Sequence, residues 1–304
     1  MYLQVIMLCV CVVIFIGNGL IIPTIKQCKS LSKATIYLLA NLAVADTLIA
    51  IFMAVDAIIN LIELDSGCVI PPLIIMASGV SSAGVILLCL QSFLYIAFPT
   101  RFGGRGIGSV TCLSLITLAW ILGGLQCAGA YLYMDKQECR LFTTKNNKEW
   151  MRVQSMYILV GCIDTIVMVV LQVSSILLIR QQNDRLHRQV HGAPSSAISE
   201  PARKLKVLKK KSRAVSMITS VLILFLVSFL PLSLVWDVFA FCLESCAVLE
   251  RKEIKFLSVL TLLNSVGNIV IYWKKNEEFR TSLSATLKCG QRIGVVNNGA
   301  IEMN

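Results

Sequence analysis

Long apolar runs separated by short polar segments form the dominant pattern along the chain. Each run is about 20 to 30 residues long, which is enough for a helix to cross a bilayer with some tilt. The pattern predicts seven spans, over residues 3–25, 34–62, 69–98, 109–133, 152–180, 213–241 and 253–275. The predicted fold is therefore an all-α membrane protein whose residues 1–275 form a bundle of seven transmembrane helices.

The composition agrees with a membrane protein and argues against several other classes. Of the 304 residues, 56% are hydrophobic and 15% are charged, which is more apolar surface than a soluble domain can bury. The 12 cysteines form no CxxC pair and show no metal-ligand spacing. The two histidines, His187 and His191, lie in a polar segment, which excludes histidine-based catalysis within the spans. We therefore predict that the protein is not an enzyme.

The basic residues predict the orientation. Most of the 28 lysines and arginines lie in segments on one side of the spans, at 26–33, 101–105, 180–213 and after 274. The positive-inside rule places these segments in the cytoplasm, with the N-terminus outside. Because the charge clusters between apolar runs, it argues against a nucleic-acid partner. Residues 181–212 are predicted as a basic inner loop with helix extensions, which either only sets topology or also contacts a partner or acidic lipid.

Polar side chains inside the apolar runs are the candidate functional residues, because such groups usually face the interior of a bundle. Asn264, Asn268 and Tyr272 are spaced by four and therefore share one face of the seventh helix. Two interpretations of the set remain open: a hydrogen-bonded patch with a protonated aspartate, or a cation site that acts as a conformational switch. The set is Asn18, Asp46, Ser81, Asn264, Ser265 and Asn268.

Two further acidic residues lie within predicted spans. Asp164, in the fifth span, has no evident partner in the sequence. Asp56 lies near the outer end of the second span, where it either faces a central cavity or reaches the membrane interface. We favour the interface for Asp56.

Several motifs resemble the rhodopsin-like (class A) G-protein-coupled receptors over nearly the whole chain. The stretch "NLAVAD" at 41–46 resembles the second-helix motif, and "NSVGNIVIY" at 264–272 resembles the seventh-helix pattern NSxxNPxxY. The stretch "KKNEEFRTSL" resembles the short amphipathic helix on the inner membrane face, so 276–304 is predicted as that helix and a cytoplasmic tail. Single matching residues are Gly17, Asn18, Trp120, Phe225, Pro231 and, as a lipidation site, Cys289.

The resemblance implies a function and partners. It implies a plasma-membrane receptor that transmits an extracellular ligand signal to a heterotrimeric G protein, with a sodium ion at Asp46 and receptor dimers as a further expectation. The second half resembles the group of lysophospholipid, adenosine, cannabinoid and melanocortin receptors. The stretches "VMVVL" at 167–171 and "WDVFAFCLESCAVL" at 236–249 carry this closer resemblance.

The resemblance favours a lipid or other apolar ligand, with a peptide as the alternative. The amine-binding aspartate position of the family is Ile74, which argues against a monoamine receptor, and the retinal-linking lysine position is Leu262. A lysine of lysophosphatidic acid receptors is matched by Lys255, which either binds an anionic headgroup or anchors the helix at the interface. The expected ligand-binding residues are Asp56, Ile74, Ile75, Phe229, Trp236 and Lys255.

The resemblance also implies disulfide bonds on the outer side. Cys242 and Cys246 are expected to close a small outer loop, the alternative being two free thiols. A second bridge would join Cys68 to Cys139, but Cys68 lies one position from the usual spacing and the subgroup often lacks this bridge. Both alternatives stay open for that second pair.

The G-protein-facing switch departs from the family pattern. The Asp/Glu-Arg-Tyr motif reads Gln91-Ser92-Phe93, so the arginine that contacts the G protein is absent, whereas Tyr272 is kept. Ile269 replaces a proline, which should straighten the seventh helix. We therefore predict weak, atypical or absent coupling, and the alternative function is a non-signalling relative acting as a decoy, chaperone or heteromer partner. Further altered switch positions are Gln172 and Phe229.

Overall fold

The computed structural model describes residues 2–28, 31–62, 69–98, 106–133, 148–192, 199–241 and 251–288, and within these ranges all regular structure is helical. The helices are α1 (Tyr2–Gln27), α2 (Lys33–Leu61), α3 (Ile70–Ala97), α4 (Ser109–Tyr133), α5 (Lys148–Gly192), α6 (Ser199–Phe241) and α7 (Arg251–Lys275). A further helix, α8, follows at 277–288.

The helices pack as a closed bundle around α3. This central helix contacts α2, α4, α5 and α6, while α1 packs on α2 and α7, and α6 packs on α5 and α7. Six of the described helices, α1 to α6, contain stretches long and apolar enough to cross a membrane. The seventh, α7, carries basic residues in its last turn and completes the bundle between α1 and α6. The predicted all-α bundle of seven helices is confirmed.

Large apolar side chains cover much of the outer surface of the bundle. On α4, Val110 is 78% exposed and Leu132 is 77% exposed, and α1 presents Phe15 and Ile16 outward in the same way. A monomeric soluble protein rarely exposes contiguous apolar surface on this scale, whereas the hydrocarbon of a bilayer covers it. The chain is therefore a multi-pass membrane protein.

An N-terminal capping residue lies immediately before α2 and another immediately before α8. Ser32 precedes α2, and its hydroxyl accepts a hydrogen bond from the Thr35 backbone N–H at 3.1 Å. Asn276 precedes α8, and its side-chain oxygen accepts from the Phe279 N–H at 3.2 Å. The Phe279 side chain is buried and Leu283 packs on the core, so one face of α8 packs against the bundle.

The helices α5 and α6 extend far beyond the predicted spans. The segment 181–212, predicted as a loop with helix extensions, is helical over 181–192 and 199–212, and residues 193–198 lie outside the described part of the chain. We call the end of the bundle where these extensions lie the basic end. Its basic residues include Lys26, Lys33, Lys209, Lys211, Arg213 and Lys275.

Buried polar side chains separate two apolar core clusters. One cluster lies toward the basic end and includes Leu42, Leu88 and Phe225, and the other lies toward the opposite end and includes Ile14 and Leu262. The polar set predicted from the sequence lies between the clusters at one depth of the bundle. We call this set the polar core, and its members are Asn18, Asp46, Ser81, Asn264, Ser265 and Asn268.

Candidate functional site

The Asp46 carboxyl group is the centre of the polar core and is completely buried. Its Oδ1 accepts a hydrogen bond from the Ser81 hydroxyl of α3 at 2.9 Å, and its Oδ2 accepts from the Asn268 Nδ2 of α7 at 2.8 Å. The Ser265 side chain interacts with the same carboxyl group. One side chain of α2 therefore joins α3 and α7 in the buried interior of the bundle.

Asn18 extends the polar core to the first helix. Its Nδ2 donates to the Ile14 carbonyl of α1 at 3.1 Å and to the Ser265 carbonyl of α7 at 3.3 Å. The structure therefore brings together the residues that the sequence singled out on α1, α2, α3 and α7. Asn264 is buried beside them, one residue before Ser265.

The oxygen atoms of the polar core suit a small hard cation. Besides the Asp46 carboxylate and the Ser81 hydroxyl, the side-chain oxygens of Asn18, Asn264 and Asn268 are buried and accept no hydrogen bond within the described part of the chain. Carboxylate, hydroxyl and amide oxygens are the ligands that such cations prefer. The residues present therefore fit the sodium ion that the sequence leads us to expect.

A second polar contact anchors the outermost helix of the bundle. The Trp120 indole N–H of α4 donates to the Asn41 side-chain oxygen of α2 at 2.8 Å. Asn41 opens the "NLAVAD" motif, and Asp46 closes it one and a half turns later. Within this motif of α2, Asn41 therefore contacts α4, and Asp46 lies at the centre of the polar core.

Gln91 joins three segments of the basic end. Its Nε2 donates to the Ser32 hydroxyl at 3.2 Å, and its Oε1 accepts from the Ile107 backbone N–H at 2.6 Å. Gly106 approaches Gln91 with a φ of 75°, and a Cβ at that position would lie 2.6 Å from Gln91 Oε1. Gln91 is therefore a structural tie between α3, the start of α2 and the segment before α4.

The neighbouring switch residues make few polar contacts. The Ser92 side chain is 4% exposed, and its hydroxyl has no hydrogen-bond partner among the described residues. The Phe93 ring packs edge-on against Phe98, with 6.3 Å between the ring centroids. Tyr272 is buried, its hydroxyl also lacks a partner in the described part of the chain, and its ring lies 5.8 Å from that of Phe279 on α8.

Lys211 is a contact residue at the basic end that the sequence did not reveal. Its Nζ donates to the Tyr95 carbonyl at 3.4 Å and lies 4.6 Å from the centre of the Tyr95 ring. Nearby, the Gln182 Nε2 of α5 donates to the Ile96 carbonyl at 3.2 Å. Both carbonyls belong to the last turn of α3, where no intrahelical donor is available and cations are favoured. Helices α5 and α6 therefore both cap α3.

A further contact fastens α5 to α6. Gln172 stands where the resemblance implies a tyrosine, and its Nε2 donates to the Val215 carbonyl at 3.1 Å and to the Thr219 hydroxyl at 2.6 Å. The altered switch position is thus used for a buried bond between the same two helices. Together with the caps on α3, this bond ties the basic ends of α3, α5 and α6 into one group.

A cavity of about 1320 Å³ lies at the basic end. It is lined by residues of α2, α3, α6, α7 and α8, by the first residue of α4 and by the segments that precede α4 and α8. We call it the basic cavity, because four basic side chains line it together with Ser92. The four are Lys33, Lys209, Arg213 and Lys275.

Four of the expected ligand-binding residues have described side chains, and the set as a whole stays a prediction. Ile74 is buried in the apolar cluster away from the basic end, and Ile75, next to it on α3, is half-buried. Phe229 packs on the other cluster and stacks on Phe225, with ring centroids 4.6 Å apart. Asp56 Oδ2 accepts a hydrogen bond from Asn60 on the same helix at 3.1 Å. Trp236 lies on α6 and Lys255 lies on α7, and the structure does not describe their side chains.

The predicted disulfides and the lipidation site stay predictions. They concern residues that lie outside the described part of the chain. These residues are Cys68, Cys139, Cys242, Cys246 and Cys289.

Comparison with known proteins agrees with this arrangement of helices and motifs. Residues 17–272 match the 7 transmembrane receptor (rhodopsin family). The chain is also similar to Probable G-protein coupled receptor No18 of Amphibalanus amphitrite, with 31% identity over 86 residues. That similarity covers 28% of this chain and 22% of the relative, so it bears on a limited part of both proteins.

Proposed function

Because the chain belongs to the rhodopsin family of seven-transmembrane receptors, we propose that it transmits an extracellular ligand signal to a heterotrimeric G protein. The observation that carries the proposal is the family match over 17–272, which includes the whole polar core and the basic end as far as Tyr272. Members of this family are receptors rather than enzymes. The proposed setting is the plasma membrane, with the N-terminus outside and the basic end in the cytoplasm.

The ligand is proposed to act on the end of the bundle opposite the basic end. A lipid or other apolar ligand is supported by the apolar character of α3 there, where Ile74 and Ile75 lie. Such a ligand changes the receptor only if it binds one arrangement of the helices better than another. Receptor dimers are a further proposal, supported by the exposed apolar faces of α1 and α4.

Sodium is proposed to bind in the polar core. The Asp46 carboxylate and the Ser81 hydroxyl would hold it, and the unpartnered side-chain oxygens of Asn18, Asn264 and Asn268 lie in the same core. The ion supplies one positive charge beside a buried carboxylate. The residues of this chain supply the rest: they join four helices and keep the carboxylate oriented by two hydrogen bonds.

The alternative proposal is a relative that couples weakly or not at all, as a decoy or heteromer partner. One specific observation favours it: at the position of the family's arginine, Ser92 offers only a short hydroxyl with no protein partner in the described part of the chain. The preceding Gln91 is used to tie segments together instead of carrying charge. Coupling would then depend on the lysines and arginine around the basic cavity.

A nucleotide-exchange assay separates these proposals. The purified receptor is reconstituted in lipid nanodiscs with a panel of G proteins and screened with lysophospholipids, other apolar ligands and peptides. Ligand-stimulated exchange supports the signalling receptor. Absence of exchange with every pairing, restored by Ser92→Arg, supports the non-signalling relative. Absence of exchange in both forms, with the reconstituted receptor folded and ligand binding intact, would refute G-protein coupling altogether.

A further inference from the structure

The basic cavity has an excess of positive charge. Lys33, Lys209 and Arg213 make no ion pair within the described ranges, and Lys275 donates a hydrogen bond to the Ser216 hydroxyl at 3.3 Å. Against these four basic groups, the described residues of the lining include two carboxylates, which come from the first turn of α8. Two positive charges therefore remain uncompensated by the lining. The carboxylates are Glu277 and Glu278.

Helix geometry adds to this positive potential. The cavity lining contains Ser32, Ser109 and Asn276, which lie at or immediately before the first turns of α2, α4 and α8. The first backbone N–H groups of a helix have no intrahelical acceptor, and the helix dipole is positive at that end. Helix N-termini are for this reason common binding sites for phosphate groups. Three of them meet at one cavity here. The Ser32 and Asn276 side chains already accept one backbone N–H each at α2 and α8, so the helix dipoles and the other first-turn N–H groups make the contribution.

The negative end of α3, one of two helix C-termini at the cavity, is already capped. The last turn of α3 also reaches the cavity through Tyr95, and its carbonyl groups would otherwise repel an anion. Lys211 caps the Tyr95 carbonyl and Gln182 caps the Ile96 carbonyl. The four basic groups that line the cavity are therefore not needed to cap the carbonyl groups of α3.

A polar atom without a protein partner lies inside the cavity. Ser92 lines it, is 4% exposed, and its hydroxyl makes no hydrogen bond within the described part of the chain. A buried hydroxyl without a partner is costly, so its presence at the wall of a positively charged cavity points to a ligand that accepts hydrogen bonds. Phosphate oxygens accept hydrogen bonds and carry up to two negative charges per group.

We propose that the basic cavity binds a phosphate-bearing anion, with the polyphosphate headgroup of an inositol lipid or the free inositol phosphate as its source. Its volume of about 1320 Å³ is ample for such a headgroup, since small-molecule sites are commonly about 300–1,000 Å³. The proposal deepens the proposed function, because it assigns a regulatory ligand to the face proposed to meet the G protein. An anion held there would compete with that partner for the same basic groups.

The test measures binding to the full chain in phosphatidylcholine nanodiscs without any G protein. The soluble probe is inositol 1,4,5-trisphosphate, followed by calorimetry, and the lipid probe is phosphatidylinositol 4,5-bisphosphate, counted by native mass spectrometry. We expect one bound anion per chain. Lys209→Gln with Arg213→Gln should weaken binding roughly 30-fold, from about 1 kcal/mol per basic residue near a membrane surface.

The matched control removes two basic residues from the same end of the bundle without touching the cavity. Arg185→Gln with Arg188→Gln changes two exposed side chains of the α5 extension and should leave binding within twofold of the unmodified chain. Ser92→Ala adds a second test, because it removes a hydroxyl that bonds nothing in the described protein. It should weaken binding several-fold while the thermal unfolding temperature stays unchanged.

The outcomes separate the sources and the alternatives. Binding of the soluble probe supports the site and shows that a free inositol phosphate can occupy it as well as a lipid headgroup. Saturable binding of the lipid probe alone supports the site and identifies the membrane as the source of the anion. Equal losses in the cavity and control variants would overturn the site, because they indicate diffuse surface charge. Binding of an acidic peptide such as oligoglutamate, with neither phosphate probe bound, would overturn the phosphate class. None of these results depends on nucleotide exchange, so failure of G-protein coupling is distinguishable.

Discussion

The contact between Lys211 and Tyr95 predicts how firmly the basic end of α6 is held against α3. The Lys211 Nζ donates to the Tyr95 carbonyl at 3.4 Å, a long hydrogen bond, which we set at about 1 kcal/mol. The same ammonium group lies 4.6 Å from the Tyr95 ring centre and its residue is 9% exposed, which adds about 1 kcal/mol. Loss of about 2 kcal/mol changes an equilibrium constant roughly 30-fold.

Lys211→Met is the informative change, because methionine keeps much of the apolar stem but has no donor and no charge. If the displaced arrangement of α6 is populated at about 1% in the unmodified chain, the variant should raise it to about a quarter. Lys211→Arg keeps both contacts and should stay close to the unmodified chain. Arg188→Met removes an exposed cation from α5 and serves as the control for charge alone.

Spin-label distance distributions measure the displacement directly. Labels on unnatural amino acids at the exposed positions Val110 of α4 and Val207 of α6 avoid the 12 cysteines of the chain. We expect a second, longer distance in Lys211→Met that is absent from Lys211→Arg and Arg188→Met. Superimposable distributions for Lys211→Met and the unmodified chain would refute the argument that this contact holds α6.

Three further changes test the polar contacts. Asp46→Asn should abolish stabilisation by sodium chloride relative to N-methylglucamine chloride of equal ionic strength, because the amide has no charge to offer the ion. Gln91→Leu leaves the Ile107 N–H without its acceptor and should lower the free energy of unfolding by about 1–3 kcal/mol, measured in denaturant. Trp120→Phe loses the hydrogen bond to Asn41 and should lower the free energy of unfolding by about 1 kcal/mol.

Each of these changes has a matched control on an exposed position. Asp184→Asn should keep the sodium response, Gln181→Leu should leave unfolding unaffected, and Trp273→Phe should do the same. A sodium response that survives in Asp46→Asn would remove the ion from the polar core. Equal losses in Trp120→Phe and Trp273→Phe would attribute the effect to ring size instead of the hydrogen bond.

The bundle and its polar core could be predicted from the sequence because both depend on local patterns of apolar and polar residues. The length of each apolar run sets a span, and polar residues within a span have only the bundle interior to face. Asn18, Asp46 and Asn268 were therefore expected to meet, and they lie in one buried layer. Their individual partners could not be predicted, since the rotation of each helix decides which pair bonds.

The contacts of the basic end could not be predicted, for two physical reasons. Lys211 is one of three consecutive lysines, and charge alone does not show that this one turns toward α3. Gln91 bonds to Ser32 and Ile107, which belong to polar segments whose paths are set by the packing of other helices. The expected ligand-binding residues show a similar limit: Ile74 and Phe229 lie in different apolar clusters, because resemblance gives a position on a helix but not its neighbours.

The polar core and the basic end share α3, and this restricts how one can influence the other. Ser81 and Ser92 are eleven residues apart on that helix, or about 16 Å at 1.5 Å per residue, too far for direct contact. Coupling between an ion at Asp46 and the position of α6 therefore requires movement of α3 or of α7. Helix α7 offers the second route, because Asn268 bonds to Asp46 and Lys275 bonds to Ser216 on α6. If sodium changes the distance between α4 and α6 in the unmodified chain, two variants identify the route. Ser216→Ala removes the contact between α7 and α6, and Lys211→Met removes the contact between α3 and α6. The variant that abolishes the sodium response shows which helix transmits the change.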